Sequence, residues 1–139
     1  MSIFFLLLIS SCTFNTIREN REEDKKEAEK VTQQFFTLVK ENNKKELYKL
    51  FSDKFFQVTN KNQLNSIIDW GQKEGDSIIG YSIVSWKTTI VKGTNPKSDY
   101  LLIYNVKRKK ISTEEIFSLQ KENDTIKILG YRLNLDLKK

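Results

Sequence analysis

The chemistry open to this chain is bounded by what it lacks, for it has no histidine and one cysteine, Cys12, in 139 residues. Without imidazole there is no His-based general base, no His-activated nucleophile and no His metal ligand. A lone cysteine excludes an intrachain disulfide, a CxxC redox pair and a thiolate metal site. The residues therefore call for no metal and no cofactor. The formal charge is +6, and its sharpest concentration is the run Lys107, Arg108, Lys109 and Lys110. Acidic residues are interleaved with basic ones over most of the rest. The clustered basic face that a nucleic-acid footprint requires is therefore missing, and nucleic acid is not expected as a partner.

Cys12 has a context that gives its thiol a use. Ile3, Phe4, Phe5, Leu6, Leu7, Leu8 and Ile9 form an unbroken apolar run, followed by Ser10 and Ser11. The run is too short for a span, which needs about 20 apolar residues. It suits the core of an export signal, which needs about 7 to 15. The stretch Ile9-Ser10-Ser11-Cys12 resembles the lipobox of bacterial lipoproteins, in which an aliphatic residue and two small ones precede the cysteine that receives diacylglycerol. The resemblance implies a signal peptide over residues 1–11, a lipidated tether over residues 12–19 and a domain over residues 20–139. It places the protein in the cell envelope with the membrane as a partner. Thr13 after the cysteine, in place of an inner-membrane retention aspartate, points to the outer membrane, facing the periplasm. A tether of about seven residues reaches at most about 25 Å. The basic run would then be near enough to meet anionic headgroups, each charge contributing about 1 kcal/mol, unless it is simply a solvated hairpin tip.

The elements that must carry these residues fall into two halves. Over residues 21–41, Ala28, Val31, Phe35, Leu38 and Val39 recur at helical spacing, with Asn20 and Glu23 placed for a capping box. A second, shorter helix brings Leu47, Leu50 and Phe51 together, and a third, capped by Thr59, carries Leu64, Ile67, Ile68 and Trp70, ending near Gly71 and Gly75. From Ile78 onward Ile, Val, Thr, Tyr and Phe dominate, with breaks around Gly93-Thr94-Asn95-Pro96, at the basic run and at Asn123-Asp124. Four strands joined by hairpins follow. In the first, Ile79, Tyr81 and Ile83 share one face and Val84, Trp86, Thr88 and Ile90 the other, so the apolar face switches mid-strand, which predicts a β-bulge near Ile83 to Ser85 and a bent sheet. The fold class is α+β, with three amino-terminal helices packed on a curved four-stranded antiparallel sheet.

That order resembles the cone-shaped superfamily of nuclear transport factor 2 and ketosteroid isomerase, which is of the nuclear transport factor 2 or cystatin type. Phe35-Phe36-Thr37-Leu38-Val39, Leu47-Tyr48, Phe55-Phe56, the Asn95-Pro96 turn into Tyr100-Leu101-Leu102-Ile103-Tyr104, then Glu115 and Leu129-Gly130-Tyr131 look like the bacterial family called domain of unknown function 4019. The similarity covers about residues 28–135 and implies a fold without an activity. A cone tends to leave a cavity, and Tyr81, Trp86, Tyr104, Phe117 and Tyr131 are its candidate lining, suited to a small apolar ligand. The preferred reading is that these rings fill the core. Enzymes on this cone use a carboxylate base with tyrosine or acid donors, which singles out Asp53 and Asp69, yet no spacing pairs either with a tyrosine. Glu114-Glu115 reads more simply as a strand pair, with Glu115 either facing inward or capped by a basic neighbour. The expected role is a binding or scaffolding module for a protein partner or a small apolar molecule, with no catalytic residue assigned. A small isomerase or hydrolase built on pocket carboxylates and tyrosine is the rival.

Overall fold

The structure, a computed structural model, describes residues 15–137. The chain is α+β: β1 (Thr16–Glu19), α1 (Glu22–Lys40), α2 (Lys44–Tyr48), α3 (Asp53–Val58) and α4 (Lys61–Gly75) precede β2 (Ile78–Lys92), β3 (Lys97–Arg108), β4 (Thr113–Glu122) and β5 (Thr125–Leu135). The strands form one antiparallel sheet in the order β1-β2-β3-β4-β5. Cys12 and the apolar run before it lie outside the described residues. No helix among the described residues is long and apolar enough to cross a membrane.

Several expectations need correction. The sheet has five strands, because Thr16 to Glu19, expected as part of a tether, pair with Lys92 to Thr89. Four residues with a single apolar member, Ile17, make too short a run to read as a strand; the edge of β2 supplies the pairing. The Arg18 guanidinium then grips the buried Asp24 carboxylate through two hydrogen bonds of 2.9 and 2.7 Å, fastening β1 to the first turn of α1. Asn20, expected to cap α1, sits at a left-handed φ of 53° and instead exchanges hydrogen bonds with the Thr88 backbone. Arg21 takes the N-cap position without a side-chain bond, and Glu22, Glu23 and Asp24 answer the positive end of the helix.

The expected second helix is two. Between Tyr48 and Asp53 the backbone is drawn onto β5, where Ser52 N–H donates to Ile128 C=O and Ile128 N–H donates to Leu50 C=O. Those bonds interrupt the i to i−4 ladder, and the Ser52 hydroxyl restarts it by accepting from Lys54 N–H. α4 begins one residue later than expected, with Asn60 and Gln63 forming a reciprocal capping box. Its glycines are contact points: a Cβ on Gly75 would stand 2.7 Å from Ile111 O and 2.5 Å from Arg108 Cδ. The bare backbone lets α4 close on the β3–β4 turn, and Gly75 C=O there accepts from Lys110 N–H.

The expected bulge is present. β2 and β3 slip register between Ile83 and Ser85, and again between Ile78 and Gly80. A third irregularity, between Ser118 and Leu119, lies between β4 and β5. Each shift lets inward residues on both sides of it keep facing α1 while the sheet bends. Ile79 and Val84, expected among the apolar sets of β2, are instead the residues inserted at its two shifts and are exposed. The core lies between α1 and the concave face, from Ala28, Phe35, Phe36 and Val39 across to Leu102, Val106, Phe117, Leu119 and Ile128.

Candidate functional site

The five aromatics expected to line a cavity are brought to the concave face, but four of them are packed into one ring lattice. Phe36 stacks on Tyr81 at 4.3 Å between centroids and meets Tyr104 at 5.2 Å and Phe117 at 5.6 Å edge-on. Phe35 meets Phe117 and Tyr131 at 4.9 Å each. These separations are those of contacting rings. Tyr104, Phe117 and Tyr131 are buried, whereas Tyr81 is half-buried with the Lys40 ammonium 5.8 Å from its ring. Trp86 packs beside the lattice with Lys25 5.3 Å over its ring. The phenylalanines of α1 occupy the space the lining was expected to enclose.

Two polar groups inside the lattice are fully partnered. Tyr104 OH lies 2.5 Å from Thr32 Oγ1, and Thr32 Oγ1 donates to Glu29 C=O at 3.0 Å, so the phenol is the donor in the first bond. At the other end of the cone Glu115, 1% exposed, is surrounded by donors. It accepts from Arg108 Nη2 at 3.0 Å, from Thr113 Oγ1 at 2.7 Å and from Tyr131 OH. Arg108 spends Nε on Thr113 Oγ1 and Nη1 on Asp76 C=O. The two alternatives for Glu115 are both realised, since the carboxylate faces inward and Arg108 is its basic neighbour. Such an array fixes side chains, and its buried position leaves a substrate no approach to the carboxylate.

This corrects the basic patch, since Arg108 is buried and only Lys107, Lys109 and Lys110 are exposed. Strand parity was the available signal: Tyr104 and Val106 face inward, so Arg108 must as well. The three lysines also lie far from the amino-terminal strand. Lys107 pairs with Gly80, whereas Thr16 pairs with Lys92, twelve residues along β2. At about 3.3 Å per residue that is roughly 40 Å.

The candidate carboxylates stay apart from the lattice. Asp69 is exposed beside Lys44 at 3.8 Å. Asp53 shares an open cleft with Tyr48, whose hydroxyl donates to Asn65 at 2.8 Å. No group of three or more potential metal ligands occurs among the described residues.

Burial sets the titration of the interior tyrosines. Desolvation, against the opposing Thr32 hydrogen bond, pushes Tyr104 from 10.0 up to about 12. Burial, then the charge and hydrogen bond of Glu115, holds Tyr131 well above its ordinary value. An acid whose pKa is raised by folding stabilises the fold fully below its unfolded value and loses that contribution as pH climbs through its folded value. Stability should therefore fall from about pH 10 to about pH 12 as unfolding releases both phenols. Denaturant titrations across that window, with phenolate absorbance compared between wild type and Tyr104→Phe, check this: Tyr104→Phe should flatten the fall, and a phenolate signal near pH 10 in the folded wild type that Tyr104→Phe removes would contradict it.

No protein-family model matches this chain, and no curated protein matches it.

Proposed function

We propose that the protein is an envelope lipoprotein, acylated on Cys12, whose cone domain works as a binding or scaffolding module through its outer surface. The observation that carries the reading is the sequence Ile9-Ser10-Ser11-Cys12 behind a short apolar run. Two features of the fold support it. β1 begins at Thr16, four residues after Cys12 and so at most about 14 Å from it. The domain would therefore ride directly on the lipid surface with the β2–β3 hairpin end nearest. The packed ring lattice turns recognition outward and disfavours an isomerase or hydrolase working inside the cone. The bent sheet closed over α1 agrees with membership of the nuclear transport factor 2 superfamily, and domain of unknown function 4019 is the family we propose within it. Thr13 favours the outer membrane.

Metabolic labelling with radioactive palmitate tests the anchor. The chain should take up label and sediment with membranes, and Cys12→Ser should abolish both, releasing a folded protein to the soluble fraction. A wild-type chain without label would end this reading.

A further inference from the structure

The face opposite β1 holds a second group of cations without carboxylate partners. A cleft of about 680 Å³ opens between α2, the start of α4 and the β4–β5 hairpin. Its rim carries Lys45, Lys49, Lys61 and Lys127, and its acidic residues are Asp53 and Glu122. Local pairing removes some of these charges. Lys49 is answered by Glu46 at 2.9 Å, while Glu122 accepts from Ser52 Oγ at 2.8 Å and has Lys54 at 3.9 Å. Among the described residues Lys45, Lys61 and Lys127 have no carboxylate within 4.0 Å, and Asp53 is the carboxylate lining the cleft that is left outside these pairs.

Their placement is not that of loose surface lysines. The Lys61 ammonium stands 5.0 Å from the Tyr48 ring and 5.8 Å from the Phe56 ring. Lys127 Nζ donates to Lys49 C=O at 2.6 Å, which fixes that ammonium at the rim. Tyr48 is itself held by Asn65 and meets Phe56 edge-on at 6.1 Å. The result is one cation, Lys61, held over a partly exposed aromatic wall, with Lys45 and Lys127 lining the same cleft.

We infer that this cleft binds a phosphate group carried on an apolar or aromatic body. Three ammonium groups against one carboxylate favour a compact, multiply charged oxyanion, and lysine serves phosphate as a point charge. A carboxylate site would draw on the two-pronged geometry of arginine, and no arginine lines the cleft. The rings of Tyr48 and Phe56 give the uncharged part of the ligand a surface to lie on. A phospholipid headgroup and a soluble phosphate ester share this chemistry. The sheet register connects the cleft to the anchor end, since Lys127, Gln120, Asp99, Thr89 and Glu19 are successive partners in one row across all five strands.

The test uses the full chain carrying Cys12→Ser, so that it does not depend on the lipid. One arm adds phenyl phosphate and follows backbone amide shifts; the other measures co-sedimentation with phosphatidylglycerol vesicles against phosphatidylcholine vesicles. Saturable shifts around Tyr48, Phe56 and Lys61 identify a soluble ester site. Binding to the anionic vesicles alone identifies a headgroup site, and either result supports the inference. Lys45→Glu combined with Lys61→Glu and Lys127→Glu should weaken binding roughly a hundredfold, three lysines each giving about fivefold near an anionic surface. The milder triple change to Gln should weaken it in the same sense. Charge reversal of Lys107, Lys109 and Lys110 should leave it unchanged. Failure of both probes, or equal losses in the two charge-reversed variants, would overturn the assignment.

Discussion

Arg108→Ala is expected to destabilise the fold by roughly 3–5 kcal/mol, the cost of stripping one partner from a buried ion pair. The guanidinium is 2% exposed and the Glu115 carboxylate 1%, so water cannot replace what is removed. Glu115 would keep Thr113 and Tyr131 as donors but lose its only cationic partner, while Asp76 C=O and Thr113 Oγ1 would lose theirs. A paired replacement separates the charge effect from packing. Arg108→Met with Glu115→Leu removes both ions and keeps most of the volume, and such exchanges are often neutral or stabilising. The double variant should therefore recover most of the loss, although Tyr131 OH is left in search of an acceptor. Adding Tyr131→Phe should recover more. Urea midpoints for the single, double and triple variants check the order, and a double variant no better than Arg108→Ala would show that the guanidinium acts through its stem alone.

This network marks where the sequence was legible and where it was not. Thr113, Glu115, Phe117 and Leu119 alternate along β4, so the inward face of Glu115 followed from period two. The identity of its partner did not, because four consecutive basic residues look like a solvated tip until the parity of β3 is extended through Val106 to Arg108. The bulge in β2 was readable for a related reason: Tyr81 and Ile83 cannot share a face with Trp86, Thr88 and Ile90 unless one residue is inserted. In contrast, β1 and the break between α2 and α3 belong to tertiary structure. Neither Thr16-Ile17-Arg18-Glu19 nor Leu50-Phe51-Ser52 has a local reason for its conformation, and both take it from the edge of a neighbouring strand.

The phosphate cleft was hidden for the same reason. Lys45, Lys61 and Lys127 are far apart in the chain and belong to no basic run longer than Lys44-Lys45, whereas the dense run at the β3–β4 turn drew attention by contiguity. Folding reverses their standing. It buries one charge of the run beside Glu115 and gathers separate lysines into the cleft lined by Tyr48 and Phe56. A net charge of +6 is thus informative only once the ion pairs show which cations are left unanswered and where they lie.

Phe36→Ala should cost roughly 3–5 kcal/mol, the range for deleting a fully buried phenylalanine ring. The ring is 0% exposed and touches Phe35, Tyr81, Tyr104 and Phe117, so four contacts of the lattice pass through it. The neighbours are poorly placed to collapse into the space. Tyr104 is held by Thr32, and Phe117 is pinned between Phe35 and Tyr131. A cavity lined by such rings stays dry and accepts an apolar molecule of benzene size. Benzene should therefore raise the urea midpoint of Phe36→Ala while leaving the wild-type midpoint unchanged. That contrast separates a cone filled by its own side chains from one holding latent space. Stabilisation of the wild-type protein by benzene would show an interior open to small apolar ligands, and the outward-facing role proposed for the domain would lose its physical basis.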